Sequence, residues 1–211
     1  MTNRRISLTA LGFTLAIGLY AAVPTAATSE EASASPLRLV SNRVSIAGTS
    51  NIHAYTASSA AARIVRLQLA SGVLGPNVWE QVLKPSALEA LEISIPAATL
   101  SSPKEGLDKN MHKALKVTEH PDITFRLSRL EGAEASGAIR GVGILKIAGV
   151  EREVTLALKT QRTEANFTVT GEVQLLMTDF GITPPKAMMG MLKTDPKVTV
   201  TFETVFGIPL T

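Results

Sequence analysis

A strict alternation of apolar and polar residues constrains the fold of this chain more than any other feature. It is clearest in residues 167–177, where Phe167, Val169, Val173 and Leu175 stand at every second position and the intervening residues are mostly polar. A period of two places one set of side chains on a single face of a strand. The same pattern recurs in residues 123–127, 154–158 and 198–206. These segments predict strands with one buried face and one face in water.

Shorter apolar segments and turn residues extend this pattern along the chain. Further strand candidates occupy residues 44–48, 62–69, 90–95 and 137–149. Gly149 predicts a tight hairpin, and residues 164–166 predict the next turn. Many short strands joined by short turns favour an antiparallel barrel or sandwich. Only 4% of the residues are aromatic, so an aliphatic inner face is expected, which is compatible with a lumen for a slender apolar ligand.

Residues 102–116 break the strand pattern and predict a short helix. Ser102 is its candidate N-cap, Pro103 takes the first helical position, and Glu105 completes a capping box. His120, which precedes Pro121, is expected to end the helical segment. The apolar edge is expected to lie over the barrel end and the basic face in water. The apolar edge consists of Leu107, Met111 and Leu115, and the basic face of Lys109, Lys113 and Lys116.

A second break, in residues 181–196, combines prolines with a cluster of methionines. Met188, Met189 and Met191 lie within four residues of one another. Methionine is flexible and polarizable, so it suits an adaptable apolar surface. The segment is interpreted either as a lid over the barrel mouth or as part of the core.

Residues 1–27 have the pattern of a secretory signal peptide. Arg4 and Arg5 precede an uncharged apolar run, and small residues follow it. We expect cleavage after Ala27 and export to the periplasm, with residues 28–36 as a flexible leader and residues 37–211 as one domain. The alternative is an uncleaved anchor, which the short apolar run and the missing stop-transfer flank disfavour.

Composition excludes several classes of protein. The chain has no Cys, which removes disulfides, thiolate metal sites and lipidation on Cys. Two of the 21 Lys and Arg are Arg4 and Arg5, which leaves 19 against 18 Asp and Glu after cleavage. Such a balance argues against a nucleic-acid partner, since that function needs a strongly basic face.

The chemistry-bearing residues do not form a recognisable catalytic or metal motif. There is no G-x-S-x-G elbow and no Gly-rich phosphate loop. The spacing of His53, His112 and His120 does not predict a metal site. Asp179 fits a turn-stabilising carboxylate better than a general base. We therefore predict no catalytic residue, no metal and no cofactor.

Several of these segments, in this order, resemble one known family. The resemblance rests on four groups of residues spread from about residue 39 to 207. They are His53 with Tyr55; Pro121, Ile123 and Phe125; Leu145, Ile147, Gly149, Val150, Val154 and Leu156; and Asp179, Phe180 and Gly181. As a set they are similar to the YceI-like family of polyisoprenoid-binding, lipocalin-like proteins, although Tyr55 stands where the common variant has Trp.

The resemblance implies an all-β fold, an extended antiparallel lipocalin-like β-barrel of about eight strands with one or two short helices at the barrel end. It implies a periplasmic binding or carrier protein, not an enzyme, which holds an isoprenoid lipid, a quinone or a similar long apolar amphiphile in its lumen. The predicted ligand contacts are His53, Tyr55, Met111, Leu115, Phe125, Leu127, Phe167, Val169, Phe180, Met188, Met189 and Phe202.

Other functions remain open at this point. One is an enzyme that acts on a hydrophobic substrate with His53 or Asp179 as base. Another is a structural or envelope-stress protein whose barrel is filled by its own side chains. The basic face of the predicted helix is interpreted as a surface that lies in water. The alternative interpretation is that it makes weak contact with anionic membrane headgroups.

The N-terminal pattern gives a direct prediction. The protein recovered from the periplasm should begin between about Thr25 and Ser35, because signal peptidase cleaves after the small residues that follow the apolar run. N-terminal sequencing of periplasmic material measures this. Intact Met1 in a membrane fraction would contradict it.

Overall fold

One curled antiparallel sheet forms the body of the fold in the computed structural model. Its strands are β1 (Arg38–Ser50), β2 (Ala54–Ser59), β3 (Arg63–Leu69), β4 (Leu88–Pro96), β5 (Asp122–Glu131), β6 (Ile139–Ile147), β7 (Val150–Arg162), β8 (Asn166–Leu176), β9 (Lys186–Ala187) and β10 (Leu192–Gly207). The helices are α1 (Val78–Val82) and α2 (Glu105–Ala114), and single 3-10 turns lie at Ala97–Thr99 and Met177–Phe180.

The structure describes most of the chain beyond residue 36. The described residues are 37–73, 78–84, 86–132, 139–163, 166–187, 189 and 191–207. The expected signal peptide and leader, residues 1–36, lie outside this part of the chain, and so does Met188.

The strand order confirms the predicted barrel architecture. Within the described residues the sheet runs β2-β1-β10-β8-β7-β6-β5-β4-β3, and the two-residue strand β9 pairs with β10. The strands from β3 to β8 therefore form a meander, and β10 joins this meander to β1. The result is a curled half-barrel of nine main strands, instead of about eight, because Ala54–Ser59 forms a strand of its own.

The edge strand β2 is tied to the segment that follows β4. The backbone N–H of Ser58 donates to the carbonyl of Ser101 at 2.8 Å, and that of Ser101 donates back at 3.0 Å. The hydroxyls of Ser59 and Thr99 share a hydrogen bond of 2.7 Å. These bonds pair part of an otherwise open sheet edge and draw the half-barrel together at this end.

The predicted side-chain parity is confirmed on the central strands. Phe167, Leu175, Val198 and Phe206 are buried, as the alternation requires. Of the polar residues between them, Glu172, Gln174 and Glu203 are exposed, and the threonines are exposed or half-buried. The inner face of the sheet is therefore apolar and the outer face polar, as expected for an antiparallel sheet that covers one core.

The predicted hairpin at Gly149 is also confirmed. Ile147 and Val150 are partners across the two-residue turn, in which Ala148 and Gly149 have φ of 50° and 84°. Positive φ at both turn positions is the type I′ arrangement that suits a twisted hairpin. A Cβ on Gly149 would lie 2.6 Å from ring atoms of His120, so this position also needs glycine for close approach.

The prediction for the boundaries of the helix was wrong at both ends. Helix α2 begins at Glu105 with Lys104 as its N-cap, because Ser102 and Pro103 belong to a preceding turn. In that turn the Ser102 hydroxyl accepts a hydrogen bond from the Lys104 N–H at 3.1 Å. The helix ends at Ala114, well before His120, and Lys116 then takes a left-handed conformation with φ of 53°.

Helix α2 covers one end of the half-barrel, as predicted. Leu115, directly after the helix, is buried in a core with Leu100 and Phe180. The three lysines of the predicted basic face are exposed. The His112 ring nitrogen Nε2 lies 2.8 Å from the carbonyl oxygen of Leu100, which fixes the helix to the turn after β4.

Candidate ligand-binding cavity

A cavity of about 720 Å³ opens beneath α2 at the end of the half-barrel. Its walls are mostly aliphatic and come from both the sheet and the cover. The sheet contributes Ile46, Ile123, Ile147, Leu175, Val198 and Val200; the cover contributes Leu107, Met111, Ala114, Leu115, Phe180 and Ile182. The volume lies within the usual range for small-molecule sites, roughly 300–1,000 Å³.

A second apolar space of about 190 Å³ lies deeper along the same inner face. Val200 borders both spaces, so they are neighbours. Its lining includes Phe125, Leu127, Phe167, Val169 and Phe202. The two spaces give the sheet an elongated apolar interior.

Aromatic rings at this inner face lie against strand glycines. A Cβ on any of these glycines would overlap the ring, so only glycine fits beneath it. The pairs are Gly48 with Tyr55, Gly143 with Phe125, and Gly171 with Phe202. In the first and third pairs the two residues are direct cross-strand partners. The rings therefore pack against the wall and leave more of the interior open than rings directed to its centre would.

The mouth of the larger cavity is polar and carries little charge. Its polar lining residues are Ser50, His53, Tyr55, Thr56, Ser102, Lys104, Asn110 and Thr194. Lys104 is the one Lys or Arg among the lining residues, and none of them is Asp or Glu. The mouth therefore favours a neutral or anionic group over a cationic one.

Tyr55 is the polar residue with the most unusual environment. Its hydroxyl is buried and has no hydrogen-bond partner within the described part of the chain. Burial raises the pKa of Tyr55, and the nearby Asp195 carboxylate raises it further. The phenol therefore stays protonated and keeps an unpaired donor at the cavity wall, at a cost of about 1–3 kcal/mol.

The structure brings together nearly all the residues that the sequence predicted to contact a ligand. His53, Tyr55, Met111, Leu115 and Phe180 line the larger cavity. The predicted contacts on β5, β8 and β10 line the deeper space; they are Phe125, Leu127, Phe167, Val169 and Phe202. The remaining two are Met188, which lies outside the described residues, and Met189, which is fully exposed and lines neither space.

The candidate catalytic residues are dispersed. His53 is exposed at the mouth, His112 bonds to the Leu100 carbonyl, and His120 packs on the Gly149 hairpin. Asp179 is exposed and lines neither space. Across the described ranges no group of three or more His, Asp or Glu could hold a metal ion.

Sequence reasoning missed most of the polar mouth. Lys104, Asn110 and Thr194 were not predicted as site residues, because each looks like an ordinary exposed residue in the sequence. The glycines in the strand interiors did carry a signal, since glycine within a strand often marks close approach of another group. That signal could have located the rings of Tyr55 and Phe202 against the wall.

Comparisons with known proteins agree with this architecture. Residues 41–206 match the family model described as the YceI-like domain. Burkholderia cenocepacia BcnA has a similar fold, with 14% identity, a TM-score of 0.61, and 78% of this chain and 95% of that chain covered. A polyisoprenoid binding domain from Saccharophagus degradans, described as implicated in plant cell wall breakdown, also has a similar fold. Its identity is 11% and its TM-score 0.57, with 82% of this chain and 99% of that chain covered.

A third similar structure is the Campylobacter jejuni YCEI protein, with 14% identity, a TM-score of 0.52, and 71% of this chain and 82% of that chain covered. At these identities the solved structures support the fold alone. No curated protein matches the chain. None of the helices in the described ranges has the length and apolar character needed to cross a membrane.

The raised pKa of Tyr55 gives a second prediction. In protein that begins after residue 27, Tyr55 is the single tyrosine, because the chain has two and the other is Tyr20. Phenolate absorbance should therefore appear at higher pH in the folded protein than in urea. The pKa of Tyr55 in the folded protein lies above its unfolded value near 10, so folding favours the protonated phenol. The stability linked to this proton is fully present below the unfolded pKa and is lost as pH rises through the folded pKa.

The matched variant is Tyr55→Phe, which keeps the ring over Gly48 and removes the unpaired hydroxyl. It should remove this part of the alkaline loss of stability without lowering stability at pH 7. Urea unfolding at pH 7 and at pH 10–11 measures both effects. Ionisation of folded Tyr55 at or below the unfolded pKa would contradict the burial of its hydroxyl.

Proposed function

The chain belongs to the YceI-like family, and on that premise we propose that it is a binding or carrier protein for one long apolar amphiphile, an isoprenoid lipid or a quinone. The observation that carries the proposal is the aliphatic cavity of about 720 Å³ with its polar mouth. A similar fold occurs in the Saccharophagus degradans domain described as polyisoprenoid binding. The expected signal peptide supports the periplasm as its place of action.

Apolar contact supplies the binding free energy in this proposal. Transfer of a methylene group from water contributes roughly 0.8 kcal/mol. A branched chain that extends from the larger cavity past Val200 into the deeper space would bury many such groups. The entropy cost of association and ordering reduces this total, but a chain of several prenyl units leaves a large surplus.

The polar end of the ligand would lie at the mouth. Lys104 supplies a positive charge there, and Asn110 and Thr194 supply neutral hydrogen-bonding groups. These groups suit an oxygen-rich head such as a phosphate, a hydroxyl or a quinone carbonyl. Binding and release require no covalent step.

The two other functions receive less support from the geometry. A structural protein with a filled barrel does not account for an open apolar cavity. Of the two candidate bases of an enzyme, Asp179 lines neither space, and His53 is exposed at the mouth with no Asp or Glu among the lining residues to orient it. Lipid binding is therefore the function that the site supports best.

The test is lipid binding by the native and the delipidated protein. Organic extraction and mass spectrometry of protein from its own host should release a prenyl lipid or quinone. Delipidated protein should bind geranylgeraniol or decylubiquinone saturably. Val200→Phe should weaken the binding of either ligand by tenfold or more, because the added ring lies where the two spaces meet. A tenfold change in affinity corresponds to about 1.4 kcal/mol.

Thr201→Phe is the matched control for this experiment. Thr201 neighbours Val200 on β10 but is exposed, so the same ring should lie outside the lumen and leave affinity unchanged. Absence of both an extractable lipid and saturable binding would refute the proposed function. Equal losses in the two variants would show that the site lies elsewhere.

A further inference from the structure

Large apolar side chains that remain exposed are concentrated around the mouth of the cavity. Among the described residues there are six such side chains, and two of them, Val40 and Val65, lie on strands β1 and β3. The other four belong to segments that frame the mouth. These four, named here the mouth rim, are Ile52, Leu176, Met189 and Met191.

Local geometry places the mouth rim at the cavity entrance. Ile52 lies in the bend between Ser50 and His53, both of which line the cavity. Leu176 lines the cavity itself, and Met191 directly precedes the lining residue Leu192. An apolar ligand that enters the cavity therefore passes these side chains.

Asn51 holds two parts of the mouth rim together. Its side-chain amide donates to the Met191 carbonyl at 2.8 Å, and its side-chain oxygen accepts from the Lys193 N–H at 2.8 Å. Its own backbone N–H donates to the Lys193 carbonyl at 3.1 Å. Ile52 and Met191 are therefore fixed on neighbouring segments, and their exposure is a defined feature of the mouth.

Positive charge accompanies these apolar side chains. Lys186 and Lys193 are direct cross-strand partners in β9 and β10, and Lys104 lines the mouth. Like charges at directly opposed positions repel each other, and an anionic surface would relieve that repulsion. Of the acidic groups nearby, Asp195 accepts a hydrogen bond from the Lys197 N–H at 2.8 Å, and Asp179 is exposed after β8.

We propose that the mouth rim and its lysines form a docking surface for an anionic lipid bilayer, through which the ligand enters and leaves. The inference rests on the proposed function. A long prenyl chain is nearly insoluble in water, so its source is a membrane. Apolar side chains flanked by lysines suit the boundary between headgroups and acyl chains, and an entrance held there shields the chain from water.

The basic face of α2 is a poorer candidate for this contact. Lys109 and Lys113 are exposed, but the apolar edge of the same helix is turned into the cavity. That face can offer charge alone, and charge without inserted apolar side chains binds membranes weakly and in a salt-sensitive way.

Vesicle binding tests the docking surface separately from ligand binding. The probes are vesicles of phosphatidylethanolamine with phosphatidylglycerol, vesicles of phosphatidylcholine alone, and geranylgeraniol in detergent. Wild-type protein should co-sediment with the anionic vesicles more than with the neutral ones. Ile52→Ser with Met191→Ser should lower that partitioning at least tenfold and change geranylgeraniol affinity less than twofold.

Two matched pairs of substitutions provide the controls. Val40→Ser with Val65→Ser removes exposed apolar side chains from strands β1 and β3, away from the mouth, and should leave vesicle binding intact. Lys186→Gln with Lys193→Gln should remove the preference for anionic vesicles, whereas Lys109→Gln with Lys113→Gln should preserve most of it.

Three outcomes would overturn the docking surface. The first is that wild-type protein does not bind vesicles. The second is that the Ile52→Ser, Met191→Ser variant partitions to vesicles as well as wild-type protein does. The third is that the Val40→Ser, Val65→Ser control loses as much vesicle binding as that variant. In each case retained geranylgeraniol affinity would leave the proposed function standing. Absence of saturable binding of geranylgeraniol and decylubiquinone by wild-type protein, together with no extractable lipid, would instead refute the proposed function itself.

Discussion

The close packing of aromatic rings on strand glycines is the contact on which the open interior depends. Phe202 lies against Gly171 and Phe125 against Gly143, at positions where a Cβ would overlap the ring. A ring held against the wall buries its area without occupying the centre of the lumen. Because the rest of the lining is mostly aliphatic, the interior keeps an elongated apolar space. The smaller space beside Val200 therefore depends on where these glycines stand in the strands.

Two tethers then give this space a defined entrance. The His112 ring bonds to the Leu100 carbonyl and holds α2 over the end of the half-barrel. Asn51 joins the bend after β1 to Met191 and Lys193, at the start of β10. The polar mouth, which includes Lys104, lies beside these two fixed elements. The proposed lipid carriage and the proposed membrane docking use the inner and outer sides of the same entrance.

The sequence predicted the strands well because their side-chain period is local. Alternation alone located the inward residues of β5, β7, β8 and β10, and the family resemblance added the barrel and its lumen. The start of the helix was missed because Ser102 is used in a turn and not as the cap of α2, and its end was missed because the chain turns left-handed at Lys116, before His120. The Asn51 tether could not be predicted, since its partners lie 140 and 142 residues away and no periodicity links them. The orientation of the Tyr55 and Phe202 rings was not predicted, because it depends on a glycine in the neighbouring strand.

The most direct test of the central claim is a double-mutant comparison of ligand affinity at Gly171 and Phe202. Gly171→Ala places a methyl group where the ring now lies, which should push the ring into the lumen and weaken geranylgeraniol binding by tenfold or more. Adding Phe202→Leu removes the displaced ring and should restore most of that affinity, as a coupled pair requires. Unchanged affinity in Gly171→Ala, or a loss that Phe202→Leu does not reverse, would contradict the claim that this contact keeps the lumen open.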